Sequence, residues 1–210
     1  MKTKIIQLFS SIESYLRMIK FSHTIFALPF AGIALVEILY KYYFKNFILD
    51  WTLEELILKI LGIILCMISM RSAAMGFNRI VDREFDAKNP RTSNREIPTG
   101  KISLKKAKIF VVIFTIIFIL SAFLINSLAG LLSPLVVLIT FGYSYTKRMT
   151  FLCHFILGFA IGLAPSAVWI ALLNKIELQA LFLSGALMFY IAGFDILYAC
   201  QDIEFDKKEN

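Results

Sequence analysis

Two acidic pentapeptides, DREFD at 82–86 and DIEFD at 202–206, share their spacing, their Glu and their Phe, and each follows a long apolar run. In both, the outer Asp residues are four apart, so on a helix they stack on one face about a turn from each other. Carboxylates placed that way repel unless a cation lies between them. Mg²⁺ suits the position, because it accepts a few carboxylates, keeps part of its water shell and takes further ligands from substrate phosphates. Asp82, Asp86, Asp202 and Asp206, in two facing pairs, are therefore candidate ligands for Mg²⁺ ions that clamp a diphosphate. Taken singly, each D-x-x-x-D reads better as the solvated end of a helix. Asn78 and Tyr198 each stand one turn before the first Asp, which favours a partial internal repeat whose two copies are halves of one site.

Other chemistry-bearing residues gather around these acids. Asp195 lies seven residues before Asp202, two helical turns deeper in the last apolar run. An ionisable group at that depth is costly and is a functional-site candidate by default; a structural Asp bonded to a neighbouring helix is the alternative. The stretch AKNPRTSNREIPTGK supplies Arg91, Asn94 and Arg95, with Pro98 and Gly100 turning the chain. Guanidinium forks match phosphate and carboxylate oxygens. YSYTKR at 143–148 adds Tyr143, Tyr145, Lys147 and Arg148, although membrane topology alone also explains that Lys and Arg. His23 and His154 read as helix-packing histidines, with substrate contact as the alternative. Cys66, Cys153 and Cys200 show no CxxC spacing and read as small buried hydrophobes.

The elements that must position these groups cross a membrane. Of 210 residues, 59% are hydrophobic and 18% charged, and 20 are Phe; the mean hydropathy is +0.74. A spanning helix needs roughly 20 mostly apolar residues, and about six such runs occur, near 21–40, 56–76, 109–125, 128–145, 151–173 and 179–199. The third and fourth are parted only by Asn126 and Ser127, which suits the elbow of a helical hairpin. Residues 1–20 mix apolar residues with Glu13, Arg17 and Lys20, lack a small-residue cleavage site, and read as an amphipathic surface helix, not a signal peptide, with a solvated N-terminal extension as the alternative. The net charge of +7 reflects topology more than a nucleic-acid partner. With six spans, the N-terminus, the 77–108 and 146–150 loops and the C-terminus share one side and most of the Lys and Arg, which makes that side cytoplasmic. The expectation is an all-α, polytopic bundle, multi-pass in the cell (inner) membrane, with both acidic motifs on its cytoplasmic face.

NRIVDREFDAKNPRTSNREIPTG resembles the first signature of the UbiA superfamily of membrane prenyltransferases. DILYACQDIEFD is similar to that family's second Asp-rich motif, YSYTKRMTFLCHFILG to the segment between them, and FSHTIFALPFAG to its start. The resemblance runs from about Lys20 to the end of the chain. It implies an intramembrane enzyme that joins a polyprenyl chain, delivered as its diphosphate, to an aromatic acid. Asn78, Asp82, Asp86, Asp202 and Asp206 would hold Mg²⁺; Arg91, Asn94, Arg95, Tyr143, Lys147, Arg148 and Tyr198 would bind diphosphate or acceptor. Asp82 and Asp202 would act in catalysis with Asp195, which would take or orient the acceptor's phenolic proton. Phe77, Tyr143, Tyr190, Phe194 and Tyr198 are candidate stabilisers of an allylic cation, with helix packing as the alternative.

The variant is similar to the subgroup that prenylates 4-hydroxybenzoate in ubiquinone synthesis; prenylation of a dihydroxynaphthoate for menaquinone is the alternative. Arg79 departs from the Asp usual after the motif Asn, and Asn89 from a usual apolar residue, which bears on the acceptor and not on the metal ligands. The family fold implies about nine spans, more than this chain supplies at roughly 20 residues each. The expectation is a transmembrane domain over 21–210, incomplete at its C-terminus and weakly active or inactive as written. A cation transporter would need deep acids with few basic partners. A phosphatidyltransferase acting on CDP-alcohols would need an Asp-Gly signature that is absent, and a noncatalytic remnant is a further alternative.

Overall fold

Thr52 opens the longest helix of the chain: its hydroxyl accepts from the Glu55 N–H at 3.2 Å, while the Glu55 carboxylate accepts from the Thr52 N–H at 2.8 Å. This reciprocal box satisfies two of the N–H groups that a helix start leaves unpaired. The computed structural model describes residues 11–20, 28–44, 51–147 and 149–202, without the side chains of 42–44 and 202. Those residues form helices and turns and no strand. In chain order they are α1 (11–18), α2 (Leu28–Phe44), α3 (Leu53–Val81), α4 (Arg83–Lys88), α5 (Leu104–Ile125), α6 (Ser127–Thr146), α7 (Cys153–Leu173), α8 (Leu178–Ala199) and a 3₁₀ turn, Cys200–Asp202. His23, Arg148, Asp206 and residues 1–10 lie outside the described residues, as does the side chain of Asp202.

The six long helices occupy the six expected apolar runs. α5, α6, α7 and α8 are each long and apolar enough to cross a membrane; α2 is described over 17 residues, and α3 runs for 29 with Glu54 and Glu55 in its first turn. The protein is integral to the membrane. Large apolar side chains such as Val112, Ile116, Leu120, Leu131 and Leu138 face outward, as they must where lipid replaces water and each helix satisfies its own backbone.

Small residues set the packing. α7 and α8 form the most extensive pair, together with α3 and α5. At Gly162 an added Cβ would stand 2.8 Å from the Ser184 carbonyl oxygen, and at Gly158 it would collide with that of Met188. The glycines let two backbones approach, and Ser166 and Ser184 join across the seam at 2.7 Å. α7 ends on Asn174 in the left-handed region (φ 52°), one of the few residues other than Gly that accepts it.

Asn126 is the hairpin elbow expected from the sequence. Its side chain caps α6 by accepting from the Ala129 N–H at 2.8 Å, and its amide donates to the carbonyls of Ile170 and Ala171 at the end of α7, both at 2.9 Å. Two apolar cores result. One joins α2, α7 and α8 through Ala34, Ile38, Trp169 and Leu172; the other seats Met18 and Ile19 on Ile80, Ala107 and Val111.

Candidate active site

The first acidic motif sits on a break between two helices and not on one continuous helix. Asp82 closes α3 and opens α4 with φ −83° and ψ 0°. Its N–H donates to the Asn78 carbonyl at 2.9 Å, and the Asp86 N–H donates to the Asp82 carbonyl at 2.8 Å, so the turn-by-turn spacing survives the break. The two carboxylates do not share one cation. Lys147, at the end of α6, reaches Asp82 Oδ2 at 2.9 Å, and Arg95 in the following loop donates to Asp86 Oδ1 at 2.5 Å.

The loop is built to present Arg95. Asn89 accepts the Arg91 N–H on its Oδ1 at 2.9 Å, Thr92 donates to the Asp86 carbonyl at 3.1 Å, and Gly100 turns the chain at φ 75°. Asn89 and Thr92 are buried, so the loop folds down over the end of the bundle.

Asp86 is 6% exposed, and its second oxygen, Oδ2, is buried without a hydrogen-bond partner. A buried carboxylate oxygen with no donor is expensive. A hard cation coordinated there removes the cost. Asn78 points the same way: its amide nitrogen lies 3.5 Å from Ser144 Oγ, which leaves the carbonyl oxygen as its ligating atom. Oxygen donors from Asn78, Asp82 and Asp86 fit half of a Mg²⁺ site. Among the described residues no three His, Cys, Asp or Glu converge as a metal cluster; the other expected ligands, Asp202 and Asp206, lie outside the described side chains.

A cavity of about 1100 Å³ opens behind these groups. Asn78, Asp82, Asp86, Arg91, Arg95 and Lys147 form its charged mouth, and its depth is largely apolar, lined by Met67, Leu132, Val136, Leu157, Ile161 and Ala164, with Arg71 of α3 the guanidinium that also reaches its wall. At the rim, Tyr198 is held by two cations. Arg91 donates to its hydroxyl at 3.2 Å and lies 5.3 Å from its ring centroid, and Lys20, itself in the left-handed region at φ 45°, lies 5.8 Å from that ring. Lys147 is 5.2 Å from the Tyr143 ring.

Tyr143, Tyr190, Phe194 and Tyr198 line the cavity, whereas Phe77 stacks on Phe141 at 4.2 Å outside its wall. Asn94 is exposed and also stands outside the wall. Asp195 lines the cavity, and His154 Nδ1 lies 2.7 Å from its Oδ2. That pairing, and the place of Lys20 at the rim, were not legible as site features in the sequence; a histidine in a membrane helix was the one signal available. Arg79, the departure after Asn78, is buried and donates from Nε to the Met18 carbonyl at 3.3 Å, tying α1 to α3.

The model of the UbiA prenyltransferase family matches residues 48–210. The chain is 33% identical over 161 residues to 4-hydroxybenzoate octaprenyltransferase of Aliivibrio fischeri (strain MJ11), covering 76% of this chain and 53% of that protein. To the protein of the same name in Aliivibrio salmonicida it is 36% identical over 158 residues, covering 75% and 53%. The chain thus spans about half the length of the curated relatives it matches. The apo structure of a UbiA homolog from Aeropyrum pernix K1 superposes with a TM-score of 0.74 at 32% identity, over 90% of this chain and 66% of that one. A UbiA homolog from Archaeoglobus fulgidus, solved with GPP and Mg²⁺ bound, shares the fold with a TM-score of 0.67 at 23% identity, over 93% and 65%.

Proposed function

Since the chain belongs to the UbiA prenyltransferase family, we propose that it carries out Mg²⁺-dependent transfer of a polyprenyl group from its diphosphate to an aromatic acid, 4-hydroxybenzoate, on the route to ubiquinone. One observation carries the reading: a single cavity joins a mouth of acids and bases to a largely apolar depth. A diphosphate with a long hydrocarbon tail needs both.

An allylic C–O bond breaks when the charge building on the leaving diphosphate is neutralised. Arg91, Arg95 and Lys147, at the mouth of the cavity, would offer cations to its oxygens. Asn78, Asp82 and Asp86 would hold Mg²⁺, with Asp202 and Asp206 from the second motif; when bound, the ion supplies Lewis-acid neutralisation of the same oxygens. The allylic cation that forms must be kept from water, which the apolar depth does. Tyr143, Tyr190, Phe194 and Tyr198 line the cavity, and their ring faces would stabilise the cation. Asp195 would take the acceptor's phenolic proton, so that the ring carbon beside the hydroxyl attacks.

The basic mouth suits the carboxylate of 4-hydroxybenzoate or of a dihydroxynaphthoate; the names of the relatives favour the former. Arg91, Arg95 and Lys147 sit at the same end of the bundle as the acids, and by the positive-inside rule that end would face the cytoplasm. A cation transporter fits less well, since Asp82 and Asp86 each already hold a basic partner.

The test uses membranes containing the chain, radiolabelled polyprenyl diphosphate, Mg²⁺ and either acceptor, with Asp82→Asn as control. Product that depends on Asp82 and on 4-hydroxybenzoate is expected. Product with the naphthoate alone would reassign the acceptor, and no product with either would sink the activity proposed for this chain.

A further inference from the structure

His154 stands in the first turn of α7 and Asp195 near the end of α8. The α7–α8 hairpin brings those ends together, with Nδ1 and Oδ2 2.7 Å apart. The two side chains are 24% and 25% exposed, and both residues line the cavity. A purely structural pair is best sealed inside a helix seam, where the low dielectric strengthens its contact. This pair is instead open to whatever fills the cavity. Its surroundings are apolar along α7, while Tyr143 of α6 and Cys153 lie in the field of Asp195. The bases at the mouth face other acids, so Asp195 has an imidazole where Asp82 and Asp86 have an ammonium and a guanidinium.

We propose that His154 is a positioning residue for the acceptor half of the reaction: its Nδ1–H holds Asp195 by Oδ2 and turns Oδ1 to the hydroxyl of the aromatic acid. The inference rests on the prenyl-transfer reading above. Asp195 lies seven residues, roughly 10 Å along a helix axis, inside the end that carries Asp202. An acid anchored by its carboxylate at the basic mouth, with its hydroxyl para to it, points the hydroxyl inward to that depth.

In the step, the phenolic O–H proton passes to Asp195 and the O–H pair becomes the carbonyl of a dienone. The ring carbon beside it bonds to the first prenyl carbon, whose C–O pair leaves with the diphosphate. Asp195 then returns its proton to the oxygen while the diphosphate takes the ring C–H proton, which restores the aromatic ring. His154 ends as it began, and no further reactant is needed.

The chain has two histidines, so protein labelled with ¹⁵N in its imidazoles and held in detergent gives two sets of ring signals, and His154→Gln assigns them. The expected result is an Nδ1–H tautomer at His154 whose signals move when 4-hydroxybenzoate alone is added, with both features lost in Asp195→Ala. In turnover, His154→Ala should lower kcat on the order of 10²-fold and raise KM for 4-hydroxybenzoate while leaving KM for the polyprenyl diphosphate unchanged. His154→Gln, which keeps an N–H donor, should recover most of that loss, and His154→Ala added to Asp195→Ala should cost nothing more, because the two act as a unit. An Nε2–H tautomer, signals indifferent to 4-hydroxybenzoate, or a loss that falls equally on both substrates would overturn the proposal. If the signals respond but no prenyl group is transferred, the pairing stands and the activity reading fails. Transfer with a silent His154→Ala is the reverse.

Discussion

Asp86 has one oxygen on a guanidinium and the other with no donor at all. Removing Arg95 would leave a buried charge uncompensated, which costs about 3–5 kcal/mol where such pairs have been broken. Arg95→Ala is therefore expected to lower Tm in detergent, and adding Asp86→Asn should restore much of it by removing the stranded charge. Wild-type Tm in the single variant would show that Arg95 contributes no stability through this contact. The acids themselves were legible because four-residue spacing within one stretch survives any local bend. Their partners were less so. Arg95 is nine positions from Asp86, within reach of a loop argument, but Lys147 is 65 from Asp82 and His154 is 41 from Asp195. Such pairings are made by helix packing, and no local pattern encodes them. Asn94, chosen for its company in an amide-rich loop, points to solvent because that loop anchors itself through Asn89 and Thr92.

At the scale of helices, hydropathy located all six long elements, and Asn126 was recognisable as an elbow because it interrupts two apolar runs without separating them. The break at Asp82 was not, since neither Pro nor Gly marks it and the hydrogen bonds continue across it. Nor does hydropathy reveal which faces meet. The α7–α8 seam depends on Gly158 and Gly162 lying against the backbone of Ser184 and Met188. Gly158→Ala should force that seam apart at a cost of about 1–3 kcal/mol, the usual range for overpacking, whereas Gly185→Ala, where an added Cβ meets nothing within 4 Å, should be silent. Thermal unfolding of both variants in the same detergent makes the comparison, and equal Tm values would remove the close-approach explanation. Because this seam also aligns His154 with Asp195, the first variant should disturb the acceptor side before the diphosphate side.

For the molecule as a whole, the sequence pointed to a membrane bundle with acids at one end, but the cavity was invisible to it. Residues that line an apolar cavity and residues that face lipid have the same composition, so hydropathy treats Ala164 and Leu131 alike although only the first is on the cavity wall. Ala164 is ten residues along α7 from His154, roughly 15 Å at 1.5 Å per residue. A Trp there should block the far part of the tail and not the headgroup. Ala164→Trp is expected to raise KM about tenfold or more for long-chain diphosphates, from the order of 1.4 kcal/mol per tenfold lost in apolar contact, and to spare geranyl diphosphate; equal effects on both lengths would argue that the tail takes another path. The paired mouth has a consequence for how such a substrate meets the protein. An arriving diphosphate finds Lys147 and Arg95 already engaged, so it draws each of those two bases away from a carboxylate. Dissolved salt weakens the contacts being given up as well as those being made. Capture of the headgroup should accordingly vary less with ionic strength than binding to a cleft whose bases are all unpaired.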